Sequence, residues 1–380
     1  MRLGPMLRRS NLCPICSGVM GEAIDLPGLP MTEHFEPHTN TFEMKGRVDN
    51  ALLFCEPCSH AKLETIVPAS ELYAKNYKTK TSNSVGSSHS VKSFFAFIER
   101  HLDLAGFETV LDIGGNDGSL LRLFRTQKKV NIDPNGSGAD IVLMGYIEEV
   151  DLQDYKGMRK LIVSSHTLEH LESPEIILEK INAILGYGDY CAFQFPSLDS
   201  LVRDARMDQV HHQHIHYFSL RSISLLLAKH GMEIVNIEFD DSHYGTLQII
   251  FRRGLEELKG SSIRYEDLEL ANRDFVSEMI CFDDRIVRLR EPVGYGAALM
   301  LPLLRYYVKG IDSLSCVYDE DETKHGLRWI NLNVPIKSPK SVHGKDVVVC
   351  AFNTKLAVRK IVNKLTAEGA RNVVVPFHAL

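Results

Sequence analysis

The stretch VLDIGGNDGSLLRLF, Val110 to Phe124, constrains the fold more than any other part of this chain. An apolar run delivers Asp112 into a turn rich in glycine, and apolar residues resume beyond it at helical spacing. A strand, a glycine-rich turn and a helix in that order open a βαβ unit whose turn can hold a nucleotide. Glycine permits positive φ there and lets a ligand approach the backbone. Gly114, Asn116 and Gly118 are the candidate turn contacts, and the helix is expected to begin at Ser119 or Leu120. Roughly twenty residues on, VNIDP ends a second strand at Asp133, placed to accept hydrogen bonds from ribose hydroxyls. The turn lacks the Gly-x-Gly-x-x-Gly spacing of NAD sites. Its acidic start at Asp112 and its glycine spacing favour S-adenosylmethionine.

The surrounding pattern agrees. From about residue 90 to 253, strand candidates (TVLDIGG, KKVNIDP, KLIVSS, YCAFQFP, LQIIFRR) alternate with helical stretches (VKSFFAFIERHLDLA, PEIILEKINAIL, LRSISLLLAKHG). Alternation of this kind implies an α/β sheet with parallel strands. A second, smaller α/β pattern follows, with PVGYGAALMLPLLRYY, DVVVCAF and NVVVPF. The first 85 residues read as irregular and proline-rich. Three domains are expected: a zinc-binding unit over 1–88, the nucleotide-binding core over 89–253 and a C-terminal α/β unit over 254–380. At 380 residues the chain has the length for several cores. Its formal charge of −6 excludes a general nucleic-acid binder. With neither a secretory signal nor an apolar span, it is expected in the cytoplasm, without a membrane, as a monomer or homodimer.

Eight cysteines in a reducing compartment are expected as thiols and metal ligands. Cys13 and Cys16 form CPIC, and Cys55 and Cys58 form CEPC. Two Cys-x-x-Cys turns can close a tetrahedral structural Zn²⁺ site, although the interval between them exceeds that of compact zinc ribbons. Unremarkable surface thiols or a redox pair are the alternatives.

Two further segments carry candidate chemistry. SSHTLEHL follows the strand KLIVSS at the edge where open α/β sheets bind ligands. Ser165 and His166 are expected near the methionine part of the donor, and His170 toward the acceptor. DQVHHQHIHYFS holds four histidines, His211, His212, His214 and His216. A metal role for this run is set aside, because no carboxylate neighbours it in sequence and alternate residues of an extended run face opposite ways. The remaining readings are proton-transfer and acceptor-binding groups, or a solvated loop.

These segments together resemble the three-domain sugar C-methyltransferases that act on nucleotide-linked keto-deoxysugars. The resemblance rests on the two Cys-x-x-Cys pairs, LYAKNYKTKTSNS, LDIGGNDGSLL, HTLEHL, DQVHHQHIHYFSLRSISLLLAKHGMEI, DDSHYGTLQI, VGYGAA and YDEDETKHGLRWINLNVPIKSP. It implies a Rossmann-like class I methyltransferase core, with S-adenosylmethionine and a structural zinc as cofactors. It implies a nucleotide-diphosphate sugar as acceptor, deprotonated α to its ketone and methylated at that carbon. The family's acceptor-pocket Tyr, Glu and His fall on His211, Gln213 and His214, and a family tyrosine segment falls on Tyr77. Only His214 keeps the family residue. Histidine can take over proton transfer from tyrosine, whereas glutamine can only hydrogen-bond. Methylation at oxygen or nitrogen, or a scaffold without catalysis, are the competing readings.

Overall fold

The computed structural model describes residues 7–72, 81–83, 85–125, 127–243, 245–255, 257–298, 300–350 and 355–376. Tyr77 lies outside them.

The central sheet has seven strands: β1 (Thr109–Ile113), β2 (Lys128–Ile132), β3 (Ile141–Leu143), β4 (Lys160–Ser165), β5 (Tyr190–Pro196), β6 (Met232–Asp240) and β7 (Thr246–Arg253). Their order is β6-β7-β5-β4-β1-β2-β3. β1 to β5 run parallel, and β7 runs antiparallel to both β5 and β6. Every residue of β1 is buried, as it must be for a strand covered on both faces. Helix Val85–His101 covers one face, its Val91, Phe94 and Ile98 spaced to share a side and packing with Val110, Leu161 and Ile250. Helices Pro174–Ile184 and Leu220–Lys229 cover the other, through Ile177, Ile181, Ile223 and Leu227 against Leu111, Ile162 and Phe193. The expected Rossmann-like core is present. One local expectation fails: no α-helix starts at Ser119 or Leu120, and only a short 3₁₀ turn, Leu121–Leu123, follows the glycines. The chain re-enters the sheet at Lys128.

Lys160 opens β4 from the core. Its side chain is 0% exposed, and its Nζ donates to Asp189 Oδ2 at 2.5 Å and to the Ile184 carbonyl at 2.8 Å. Asp189 also accepts from the backbone N–H groups of Lys160 and Gly186. Removing one member strands the other as a buried, uncompensated charge. Asp189→Ala is therefore expected to cost about 3–5 kcal/mol of unfolding free energy in chemical denaturation. A loss below about 1 kcal/mol, the value of a surface pair, would contradict the burial.

The first block is more regular than its sequence suggests. Strands Gly21–Pro30, Arg47–Cys55 and His60–Leu63 form an antiparallel sheet. Its fourth strand, His216–Phe218, belongs to the central block and pairs with His60–Leu63. Proline and glycine within Gly21–Pro30 hid the strand, and register shifts near Glu22 and Leu26 accommodate them.

The C-terminal block carries five parallel strands in the spatial order Ile336–Lys337, Val317–Tyr318, Val293–Tyr295, Asp346–Val349, Asn372–Val374. Helix Tyr265–Ile286 packs on it through Phe275, Phe282 and Ile286. Strand Leu327–Trp329 pairs with Phe35–Pro37 of the first block. No helix among the described residues is long and apolar enough to cross a membrane.

Candidate active site

The chain order reverses between β1 and β4, which makes their carboxyl ends the crevice where an open α/β sheet binds its ligand. The turn after β1 forms one wall. Gly114 and Gly118 have φ of +75° and +72°, and Asn116 shares that region at +48°. A Cβ on Gly114 would lie 2.0 Å from Thr167 Oγ1, and one on Gly118 would lie 2.6 Å from the Gly138 carbonyl oxygen. Glycine is required here because neighbouring turns press against the backbone. Asp133, at the end of β2, accepts from the Asn116 N–H at 3.1 Å and the Asn135 N–H at 2.7 Å, and remains half-buried. It has carboxylate surface left for a further donor, as a ribose hydroxyl supplies. Asp112 lies beneath the turn, 1% exposed. Burial, then the charge of Asp133, pushes its carboxyl up to about 8, so it supports the turn as a neutral acid at pH 7.

The turn after β4 forms the other wall. Ser165 Oγ accepts from Gln194 Nε2 at 2.7 Å, and His166 sits at φ +54°, a strained value for a non-glycine residue. Beside it opens a cavity of about 200 Å³ lined by His166, Pro196, Asp208, Gln209, His211, His214, His243 and Met300. Pro196 ends β5, His243 lies in the β6–β7 connection and Met300 comes from the C-terminal block. Asp208 is held by Arg206 through two hydrogen bonds of 2.7 and 2.6 Å.

The histidine run is neither extended nor solvated. It turns over residues 211–215 before strand His216–Phe218, and His211, His212, Gln213 and His216 are all buried. The turn brings the rings of His211 and His214 to 4.0 Å, and those of His170 and His214 to 5.0 Å. Ile215 bridges the first block and the β4 turn, its N–H donating to the Glu169 carbonyl and its carbonyl accepting from Leu63 N–H. Burial pushes His211 down to about 3, helped by His170 and His212, so its ring is neutral at physiological pH. Burial drives His214 well below the ordinary value too, followed by its neighbours His211, His170 and His166. His211 Nδ1 is buried and accepts no hydrogen bond among the described residues.

Three carboxylates escaped the sequence reading: Asp208 of the cavity wall, Glu169 and Glu33. Glu169 stands in HTLEHL between two histidines already singled out, and folding brings it within 4.8 Å of a ring nitrogen of His214. Glu33 arrives from the first block, with φ +64°, and hydrogen-bonds Gln213, whose Oε1 accepts from Thr32 Oγ1. Nothing in its local sequence marks it. Burial raises its carboxyl from 4.5 to about 7 against the opposing bond from Gln213. A raised acid favours the folded state below pH 4.5, and that advantage is lost as pH climbs toward 7. Glu33→Gln is therefore expected to raise the melting temperature at pH 8 and to leave it unchanged at pH 4. Equal effects at both pH values would refute the shift.

The cysteines also converge. One sulfur from each of Cys13, Cys16, Cys55 and Cys58 lies within 4.8 Å of the others, and Cys16 and Cys55 are 3.6 Å apart. Tetrahedral Zn–S bonds of about 2.3 Å place sulfurs about 3.8 Å apart, so the cluster fits zinc. The two turns match in backbone: Ser17 and Ser59, each following the second cysteine of its pair, have φ of +59° and +51°.

Comparison with known proteins agrees with this geometry. Residues 88–237 match the family described as "Methyltransferase domain", so the central block is a methyltransferase domain of Rossmann-like, class I type. Among individual proteins, the chain is 22% identical over 210 residues to the C-methyltransferase NovU of Streptomyces niveus. That match covers 52% of this chain and spans only half, 50%, of the relative. Solved structures similar to part of the chain include magnesium protoporphyrin IX methyltransferase of Synechocystis PCC 6803 (12% identity, 45% of this chain and 84% of that one, TM-score 0.36). A methyltransferase from Listeria monocytogenes shows 15% identity, covering 43% and 98%, with TM-score 0.35.

Proposed function

We propose that this protein transfers the methyl group of S-adenosylmethionine to a carbon α to a ketone on a nucleotide-linked keto-deoxysugar. The observation that carries the reading is the histidine-lined cavity opening beside the crevice between β1 and β4. The C-methyltransferase relative and the shared sequence segments support carbon as the acceptor atom.

S-adenosylmethionine supplies an electrophilic methyl on a cationic sulfonium that departs as a neutral thioether. Backbone groups of Gly114, Asn116 and Gly118 hold the donor, Asp133 takes the ribose hydroxyls, and Asp112 supports the turn from below. Ser165 and His166 face the methionine end. His211 takes the acceptor's α-proton on its unpartnered Nδ1, leaving the bond's electrons as an enolate. His170 and His214 line the acceptor side, and Gln213 orients a hydroxyl or ketone. The sequence resemblance assigns Tyr77 to the acceptor side as well. The Cys13, Cys16, Cys55 and Cys58 cluster holds zinc as a structural ion, with no coordination position left open for chemistry. Working at low dielectric, the chain's main contribution is to fix donor and acceptor in line.

The test supplies purified protein and donor with nucleotide 4-keto-6-deoxysugars deuterated α to the ketone, and reads products by mass spectrometry. Methyl gain with loss of one deuterium, beyond a control lacking donor, is expected. Methyl gain with every deuterium kept would move the reaction to oxygen or nitrogen.

A further inference from the structure

Glu169 is 1% exposed, and neither of its carboxylate oxygens accepts a well-aligned hydrogen bond from the described residues. A buried carboxylate ordinarily gathers donors or an ion pair. What faces this one is imidazole nitrogen, with His166 Nδ1 at 3.3 Å and His170 Nε2 at 3.8 Å. The tautomers of two of the neighbouring rings follow from their other contacts. His170 Nδ1 lies 2.6 Å from the Gln213 carbonyl, and His214 Nδ1 lies 3.1 Å from the Gln209 carbonyl. A carbonyl only accepts, so each Nδ1 carries a proton and donates it. In a neutral ring Nε2 is then a lone pair.

Glu169, His170 and His214 each offer a ligand atom within 4.8 Å of the other two. Electron-rich atoms thus converge in a buried place where His166 Nδ1, at 3.3 Å from one Glu169 oxygen, is the side-chain donor at hand, and a cation would satisfy the other carboxylate oxygen and both Nε2 lone pairs. Anchoring Nδ1–H on backbone carbonyls is also how proteins orient histidines that bind metal through Nε2. These residues come from two separated segments, the turn after β4 and the histidine turn, tied together by the Ile215–Glu169 backbone bond.

We propose that Glu169, His170 and His214 bind one divalent transition-metal ion, at a site separate from the four-cysteine cluster. Two imidazoles and one carboxylate suit Zn²⁺, Fe²⁺ or Co²⁺ better than Mg²⁺ or Ca²⁺, which prefer shells of oxygen. Three protein ligands leave room in the shell for an outside ligand. His214 also lines the cavity, so the ion is within reach of what enters it. Resting on the proposed function, this extends the acceptor class to sugars that present a ketone and a neighbouring hydroxyl as a chelating oxygen pair. His211 remains outside the triad and keeps its free Nδ1.

The test uses the full chain with zinc already in its cysteine cluster, and no acceptor. Co²⁺ is titrated and followed by calorimetry and visible absorption. One further equivalent is expected, with weak d–d bands and without the intense charge-transfer bands of cobalt thiolates. Glu169→Gln and His214→Ala should each weaken that equivalent at least tenfold while circular dichroism stays native. If either variant misfolds, His170→Gln replaces it. The proposal is overturned if no further equivalent binds, or if either folded variant binds it as tightly as the native chain. Donor affinity measured in parallel without Co²⁺ keeps the methyl-transfer reading separately testable, so failure of one does not imply failure of the other.

Discussion

Alanine at Gly114 is expected to weaken S-adenosylmethionine binding by roughly 30- to 100-fold, equivalent to about 2–3 kcal/mol. Two costs combine. The residue has φ +75°, where a Cβ costs about 1–2 kcal/mol. The added carbon would also lie 2.0 Å from Thr167 Oγ1 and 2.9 Å from its Cγ2. Thr167 belongs to the turn after β4, the opposite wall of the crevice, and its Oγ1 donates to the Ile113 carbonyl at the end of β1. Relief of the clash therefore moves both walls at once. Adding Thr167→Ala removes the two clashing atoms and should restore part of the affinity, leaving the backbone cost and the lost hydrogen bond. Calorimetry on both variants gives the coupling directly. A Gly114→Ala protein that binds donor within threefold of native would place the donor elsewhere.

The core was legible because its signals are local. A buried parallel strand such as Thr109–Ile113 reads as an apolar run, and helix Pro174–Ile184 announces itself by proline at its start and by spacing. Strand Met232–Asp240 was harder, since only alternate parts of it are buried and a bulge lies between Ile234 and Asn236. The acceptor side was legible only in part. His211 and His214 were marked by their clustering, but the sequence could not show a turn that brings their rings to 4.0 Å. Glu169 and Glu33 meet the histidine segment from the β4 turn and the first block, and such meetings depend on tertiary packing. Asp208 stands three residues before His211 in sequence, but it is tied up by Arg206, and the carboxylate that meets His214 is Glu169, from another segment.

Serine at Cys55 is expected to have the largest effect on the first block while sparing the donor site. Among the described residues the four cysteines form no disulfide, and their sulfurs crowd together. Bound as thiolates, they repel one another unless a cation lies between them. Cys55 ends the strand Arg47–Cys55, and Cys58 closes the turn into His60–Leu63. That second strand is the one on which His216–Phe218 pairs, so the cluster fixes the hairpin that anchors the histidine turn. Metal-ligand loss couples directly to folding free energy. The variant should lose its zinc equivalent by elemental analysis and melt on the order of 10 °C lower, about 1–3 kcal/mol for a unit of this size. Residues of the first block should become sensitive to protease. Donor binding should persist, because β1, β2 and β4 form their crevice with neighbours from the central sheet. Methyl transfer should nevertheless fail, since His211 and His214 would lose the strand that positions them. If Cys55→Ser retained both its melting temperature and its turnover, the cluster would be a set of thiols without a structural ion. The histidine turn would then owe its position to the β4 turn alone.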